Sequence, residues 1–165
     1  MNNLLLKGID GDKSANASQF VTFSIGEEYY GVTAMKVHEI IGMTKITPVP
    51  NSMGYMKGVI NLRGSVVPVV DMRLKFKMAE KEFGDQTIII IVEIKQRLFG
   101  MIVDSVSDVI GISDDSIQDT PHFSTQIETD FISGIADKSD HLIIMLDVDK
   151  ILTDHEIRET VENIA

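Results

Sequence analysis

Few side chains in this sequence could do chemistry, and their spacing works against it. His155-Glu156 opens like the helix of a zinc protease, but Glu159 stands where a second histidine ligand is needed. His38, His122 and His141 lie in different segments, and none neighbours a plausible ligand pair. Asp147-Val148-Asp149 has a spacing that could hold Mg²⁺, whereas Asp114-Asp115 lacks the ligand pattern of an EF-hand loop. There is no cysteine, hence no thiolate ligand, disulfide or Cys nucleophile. Neither a phosphate-binding glycine loop nor a nucleophile elbow is present. One cation stands out instead. Arg63 occupies the polar break Asn61-Leu62-Arg63-Gly64 between two apolar runs, and Gly64 supplies the positive φ of a tight hairpin turn. A charge lifted on a stiff β element, with no nucleophile, acid pair or metal ligand beside it, suits docking better than catalysis.

The elements that must position Arg63 occur twice. Gly31 and Gly42 are 11 residues apart, as are Gly100 and Gly111, and each pair encloses a related apolar pattern. Gly58 and Asp71 are 13 apart, as are Gly134 and Asp147. The offset between copies grows from 69 to 76, so the second copy carries seven extra residues, placed in the polar region 113–130. Two copies of one supersecondary unit therefore stand in tandem.

Short strands with frequent turns dominate the pattern. Phe20, Thr22 and Ser24 alternate with Val21, Phe23 and Ile25, and Gly26-Glu27-Glu28 turns the chain into a second strand. The spacing of Val37, Ile40 and Ile41 predicts two turns of helix over 35–41, stopped by Gly42. Pro48 and Pro50 force an extended linker. Asp71 is placed to cap a short helix over 72–76, and Asp147 to start another. The β-branched run 87–94 is too continuous for a one-sided strand and predicts burial on both faces. Ile157, Val161 and Ile164 have helical spacing in a terminal helix over 153–165. Residues 1–17 are polar and aperiodic, the signature of a flexible arm. The fold class expected is all-β: small closed barrels rather than a parallel α/β sheet.

Composition narrows the partners. The net charge is −10, split unevenly: residues 1–82 carry +2 and residues 83–165 carry −12. No basic face is concentrated enough for nucleic acid, and the acidic half repels phosphate backbones and anionic lipid. No apolar run approaches the ~20 residues of a membrane span. No secretory signal is readable at the N-terminus, which leaves the cytoplasm as the expected compartment.

Lys57-Gly58-Val59-Ile60-Asn61-Leu62-Arg63-Gly64, followed by Pro68-Val69-Val70-Asp71-Met72-Arg73, resembles the signature of the CheW family, the coupling proteins of bacterial chemotaxis arrays. So do Lys36-Val37-His38-Glu39-Ile40 and Val103-Asp104-Ser105-Val106-Ser107-Asp108-Val109. The likeness runs from about residue 19 to residue 152. It implies two tandem SH3-like β-barrel subdomains within 18–152, with lobes at about 18–82 and 83–152 and strand exchange between them left open. It also implies a non-catalytic adaptor without cofactor or metal, joining the histidine kinase CheA, through its regulatory domain, to the cytoplasmic tips of chemoreceptors beneath the inner membrane. The same domain occurs in CheA and CheV, but a short arm before it and one helix after it fit the free-standing coupling protein. An adaptor of a related pathway, such as pilus-based motility, is one alternative, and a small-molecule-binding barrel is another.

The resemblance also implies a site map. The receptor's helical hairpin is held between the lobes, and the matching positions here are Val37, Glu39, Ile40, Gly58, Arg63, Gly100, Val106 and Val109. The aliphatic members would form a trough for a helix face, and Glu39 and Arg63 would orient that helix at the rim. Without the resemblance, the four aliphatics read equally well as core, and Glu39 and Arg63 as solvated surface charges. Kinase docking is expected on the first lobe, at Met43, Lys45, Ile46 and Lys57.

Overall fold

A computed structural model of the protein describes residues 17–118, 129–138 and 140–164. The expected arm over 1–16 lies outside them, as does His122, and Ala17 already opens the first strand. Along the described chain run β1 (Ala17–Ile25), β2 (Glu28–Thr33), β3 (Val37–Gly42), β4 (Met56–Leu62), β5 (Ser65–Asp71), the short helix α1 (Met72–Lys75), β6 (Ile88–Ile94), β7 (Arg97–Val103), β8 (Ser105–Ser113), β9 (Ile117–Gln118), β10 (Ile132–Lys138), β11 (His141–Leu146) and the terminal helix α2 (Asp154–Ile164). The fold is all-β, two SH3-like subdomains built on two sheets. One sheet has the order β8-β1-β2-β11-β10-β9 and the other β3-β6-β7-β5-β4.

Each sheet takes strands from both sides of residue 82. The first hairpin, β1–β2, joins the late strands β8–β11, and the second hairpin, β6–β7, joins the early strands β3–β5. The two parallel pairings that effect this exchange repeat each other. Gly31 of β2 lies opposite Met145 of β11, and Gly100 of β7 lies opposite Val69 of β5. Both glycines make room for that neighbour: a Cβ on Gly100 would stand 2.7 Å from Val69 Cγ1, and one on Gly31 would stand 3.2 Å from Met145 Cε. Asp71 and Asp147 each cap the turn that follows, Asp71 Oδ1 accepting from Arg73 N at 2.9 Å and Asp147 Oδ1 from Asp149 N at 3.1 Å.

The helix expected over 35–41 is not there. Ala34–Lys36 form a single 3₁₀ turn, and Val37–Gly42 are a strand paired with β6. The cause is a β-bulge between Val37 and Glu39, which leaves His38 without a cross-strand partner. A bulge adds one residue to the alternation, so Val37 and Ile40 face the same side three positions apart. That spacing mimics a helix face. The β-branched Val37, Ile40 and Ile41 suit a strand better than a helix.

The main core lies between the two sheets. Val21, Phe23 and Ile25 of β1 meet Ile90, Val92 and Ile94 of β6 there, with Ile151, Leu152 and Ile157 closing one end. A second apolar cluster, including Ile60, Val69, Ile89 and Ile91, fills the inside of the five-stranded sheet. Alternate residues of β6 therefore serve two cores, which accounts for the unbroken apolar run 88–92. A smaller cluster around Ile112, Ala136, Ile143 and Met145 fills the six-stranded sheet.

Glu156 pins the terminal helix. Thr153 N donates to Glu156 Oε1 at 2.8 Å while Glu156 N donates to Thr153 Oγ1 at 3.1 Å, a reciprocal N-terminal cap. The same carboxylate accepts from the Tyr55 hydroxyl and from Lys75 Nζ at 3.0 Å. Burial pushes the Glu156 carboxyl up, but these donors more than offset it and hold the group below its ordinary 4.5. A carboxyl lowered by folding stabilises the fold above its unfolded pKa, and that contribution is lost as the pH falls through the folded value. Glu156→Gln should therefore lose about 1–2 kcal/mol of stability at pH 7. The deficit relative to wild type should shrink on acidification below about pH 4.5. Urea unfolding at several pH values measures both.

Candidate functional site

Arg63 sits where the sequence places it, at the tip of the β4–β5 hairpin. Leu62 pairs with Ser65, so Arg63 and Gly64 form a two-residue turn with φ of 50° and 91°. Positive φ at both positions defines the turn that matches the twist of a hairpin. Asn61 Oδ1 accepts from Gly64 N at 2.7 Å and stiffens the loop. The Arg63 side chain is 67% exposed, yet its guanidinium forks onto Glu39 of β3, with Nη1 3.2 Å from Oε2. Glu39 beneath it is only 13% exposed. The hydrogen bond from Arg63 holds the Glu39 carboxyl below its ordinary range, and the charges of Arg63 and His38 add to the effect.

The other receptor-matching positions divide. Val37 and Ile40, at 8% and 5% exposure, are packed into the core between the sheets. Their side chains hold β3 in place and do not line an open trough. Val106 and Val109, their counterparts one repeat later, are half-buried and rest on the edge of the same core. Gly58 and Gly100 are buried, each at a close approach of chain to chain. A Cβ on Gly58 would stand 2.2 Å from the carbonyl oxygen of Thr47. Of these positions, Glu39 and Arg63 pair at the hairpin tip, while Val106 and Val109 stay partly open on β8.

The kinase-matching positions gather on the five-stranded subdomain. Thr47 and Val59 exchange two backbone hydrogen bonds of 2.9 Å, tying the segment after β3 to β4 and linking the two edges of the sheet. Met43 and Ile46 pack half-buried against the cluster inside this sheet, and Lys45 is exposed. Lys57 is engaged within the chain: its Nζ lies 2.5 Å from Glu80 Oε2 and 5.8 Å from the centre of the Phe83 ring.

A half-buried ion pair that sequence reasoning passed over joins the exchanged halves. Arg73 of α1 donates to Asp104, Nε at 2.9 Å and Nη2 at 2.7 Å, and Gly26 N donates to the same carboxylate at 2.8 Å. Burial raises the Asp104 carboxyl, but the Arg73 and Gly26 bonds outweigh it and hold it below 3.8. These groups wall a cavity of about 330 Å³ together with Ser24, Ser105 and Asp71. Burial pushes the Asp71 carboxyl up, against the pull of its capping N–H donors, and its Oδ2 has no partner among the described residues. Arg73 and Asp104 satisfy each other, and Lys81, Glu82 and Asp85 line the same cavity. The described histidines do not converge: His155 is exposed 3.3 Å from Glu159, His141 packs its ring on Tyr29, and His38 is exposed beside Glu39.

Comparison with known proteins gives a consistent result. The family model described as CheW-like domain matches residues 19–156. The chain is 34% identical over 147 residues to chemotaxis protein CheW of Klebsiella aerogenes, covering 89% of this chain and 88% of that one. It is 35% identical over 138 residues to chemotaxis protein CheW of Rhizobium meliloti, covering 84% and 89%. The crystal structure of scaffolding protein TtCheW from Thermoanaerobacter tengcongensis superposes with a TM-score of 0.79 at 36% identity, covering 85% of this chain and 95% of that one.

Proposed function

Since the chain belongs to the CheW-like domain family, we propose that it is a non-catalytic adaptor coupling chemoreceptors to the histidine kinase CheA and bringing the kinase under receptor control. The observation that carries this reading is the Arg63–Glu39 rim. A charged hairpin tip is fixed in a defined turn and oriented by a largely covered acid, and Val106 and Val109 of β8 offer half-buried apolar side chains. Such a surface can hold one face of a receptor helix, apolar side chains on the valines and a polar group at the arginine. Val37, Ile40, Gly58 and Gly100 act behind it, by setting where β3, β4 and β7 lie. The kinase's regulatory domain docks on the five-stranded subdomain at Met43, Lys45 and Ile46, with Lys57 steadying the neighbouring strand. No described helix is long and apolar enough to cross a membrane.

Titration against the isolated regulatory domain of CheA should give saturable binding. Receptor fragments, kinase and this chain mixed together should give phosphorylation that responds to the receptor. Receptor control that is unchanged when the chain is left out would sink the proposal.

A further inference from the structure

The bulge in β3 brings His38 beside Glu39. The register passes over His38 and sets Glu39 opposite Ile91. A bulge re-aims the side chain of its extra residue, and His38 Nε2 comes to 3.8 Å from Glu39 Oε1. Arg63 Nη2 holds that same oxygen from the hairpin tip, while its Nη1 lies 3.2 Å from Oε2. One carboxylate oxygen therefore faces two nitrogen groups. The guanidinium is always charged, and the imidazole is charged only when protonated.

The backbone does not demand the ring. β8 carries the same bulge at Ser107, which follows His38 by the repeat offset of 69. A serine serves there, so the bulge forms without an imidazole. The charges around His38 come from four elements. Glu39 lies on its own strand, and Arg63 reaches in from the β4–β5 hairpin. Lys36 of the preceding turn is drawn off to Asp149 at 3.2 Å. On β6, the strand paired with β3, the charged residue is the exposed Glu93. His38 itself is half-exposed, open to protons from solvent.

We infer that His38 is a positioning residue for Arg63: once protonated it competes for Glu39 Oε1 and frees the guanidinium, so presentation of the hairpin tip follows pH. The consequence for receptor binding rests on the adaptor reading above, whereas the competition is internal to the chain. A neutral imidazole leaves Glu39 to Arg63 alone. Protonation sets a second cation against the same oxygen, which attracts the carboxylate and repels the arginine. Exposed ion pairs are weak, so one added charge is enough to redistribute the carboxylate between its two partners. Imidazoles ordinarily change charge between about pH 5 and 8. Glu39 stays ionised through that window, because the hydrogen bond from Arg63 holds its carboxyl below the ordinary range.

The Nε–H signal of Arg63 in ¹⁵N NMR spectra, assigned by its absence from Arg63→Asn, reads the competition directly. Between pH 8 and pH 6 it should shift, and its relaxation should show a loosening side chain. In His38→Gln, which keeps a polar side chain that cannot take up the proton, the signal should hold its place over the same range. Affinity of the wild type for a chemoreceptor cytoplasmic fragment should rise about threefold from pH 8 to pH 6, relative to the change in His38→Gln. Affinity for the CheA regulatory domain should follow pH identically in both proteins, and circular dichroism should show both folded. An Arg63 signal that moves with pH alike in the two proteins would overturn the inference, as would receptor affinities that follow pH alike. Failure of the wild type to bind any receptor fragment, with the Arg63 signal behaving as described, would remove the adaptor reading and leave the competition standing.

Discussion

Arg63→Glu should uncouple the kinase from the receptors while the fold stays intact. The side chain projects into solvent from a two-residue turn, and its only described partner is Glu39. The turn itself is held by backbone pairing and by the Asn61–Gly64 bond, neither of which needs the guanidinium. Reversal puts two carboxylates together at the rim, so the Glu39 carboxyl, now held low by Arg63, would be pushed up instead. A receptor helix arriving there would meet two carboxylates in place of the arginine. Receptor affinity should drop by at least about tenfold, with the thermal unfolding midpoint and the affinity for the CheA regulatory domain unchanged. Arg63→Asn separates turn from charge: asparagine tolerates the φ of 50° and suits the position before Gly64. It should fold at least as well as wild type and couple poorly. Full receptor control in Arg63→Glu would show the rim is not where receptors dock. Loss of its circular dichroism signal would make the residue structural.

The repeat was legible because glycine and aspartate are demanded by backbone geometry that both copies share. Gly31 and Gly100 face the parallel neighbour strand, and Asp71 and Asp147 cap the turn after it. Spacing alone could not show that the copies exchange hairpins, since parallel pairing between strands 31 and 114 residues apart leaves no local mark. The bulges at His38 and Ser107 were hidden for a related reason. A bulged strand and a short amphipathic helix both put apolar residues three apart, and only pairing with β6 distinguishes them. The same ambiguity made Val37 and Ile40 look like the walls of a docking trough, when a strand between two sheets must bury them. Glu156 had a signal that went unused: Thr153 and Glu156 stand in capping-box spacing at the start of a helix, which explains the pair better than half a zinc motif does. The seven extra residues of the second copy are also more finely placed than composition allowed. Ile46 and Thr47 stand against Gly58 as Ile117 and Gln118 stand against Gly134, so two of the seven precede β9 and five follow it.

Gly58→Ala should be the most destabilising single-methyl change among the described glycines, and the reason is backbone meeting backbone. The residue has φ of 146°, which L side chains rarely adopt, and its Cβ would overlap the Thr47 carbonyl at 2.2 Å. That carbonyl accepts from Val59 N in one of the two hydrogen bonds linking the sheet's edges. Relief of the clash must push the 43–47 segment outward and break the link. A loss of about 3 kcal/mol or more is expected, from strained φ together with the broken pairing, read as a lower urea midpoint. Gly134→Ala should repeat the effect more mildly, since its Cβ would meet Ile117 Cγ2 at 2.6 Å and the Gln118 oxygen at 2.8 Å without a positive φ. Gly42→Ala is the control: nothing lies within 4 Å of its Cβ, and alanine in a strand should be neutral or stabilise by about 0.5 kcal/mol. The displaced segment carries Met43, Lys45 and Ile46, whereas Arg63 and Val106 lie elsewhere. Gly58→Ala molecules that remain folded at low temperature should therefore lose affinity for the CheA regulatory domain more than for the receptor fragment. Equal stability of the Gly58 and Gly42 variants would mean that the Thr47–Val59 link does not hold the subdomain closed. A greater loss toward the receptor would move the kinase's docking surface away from this edge.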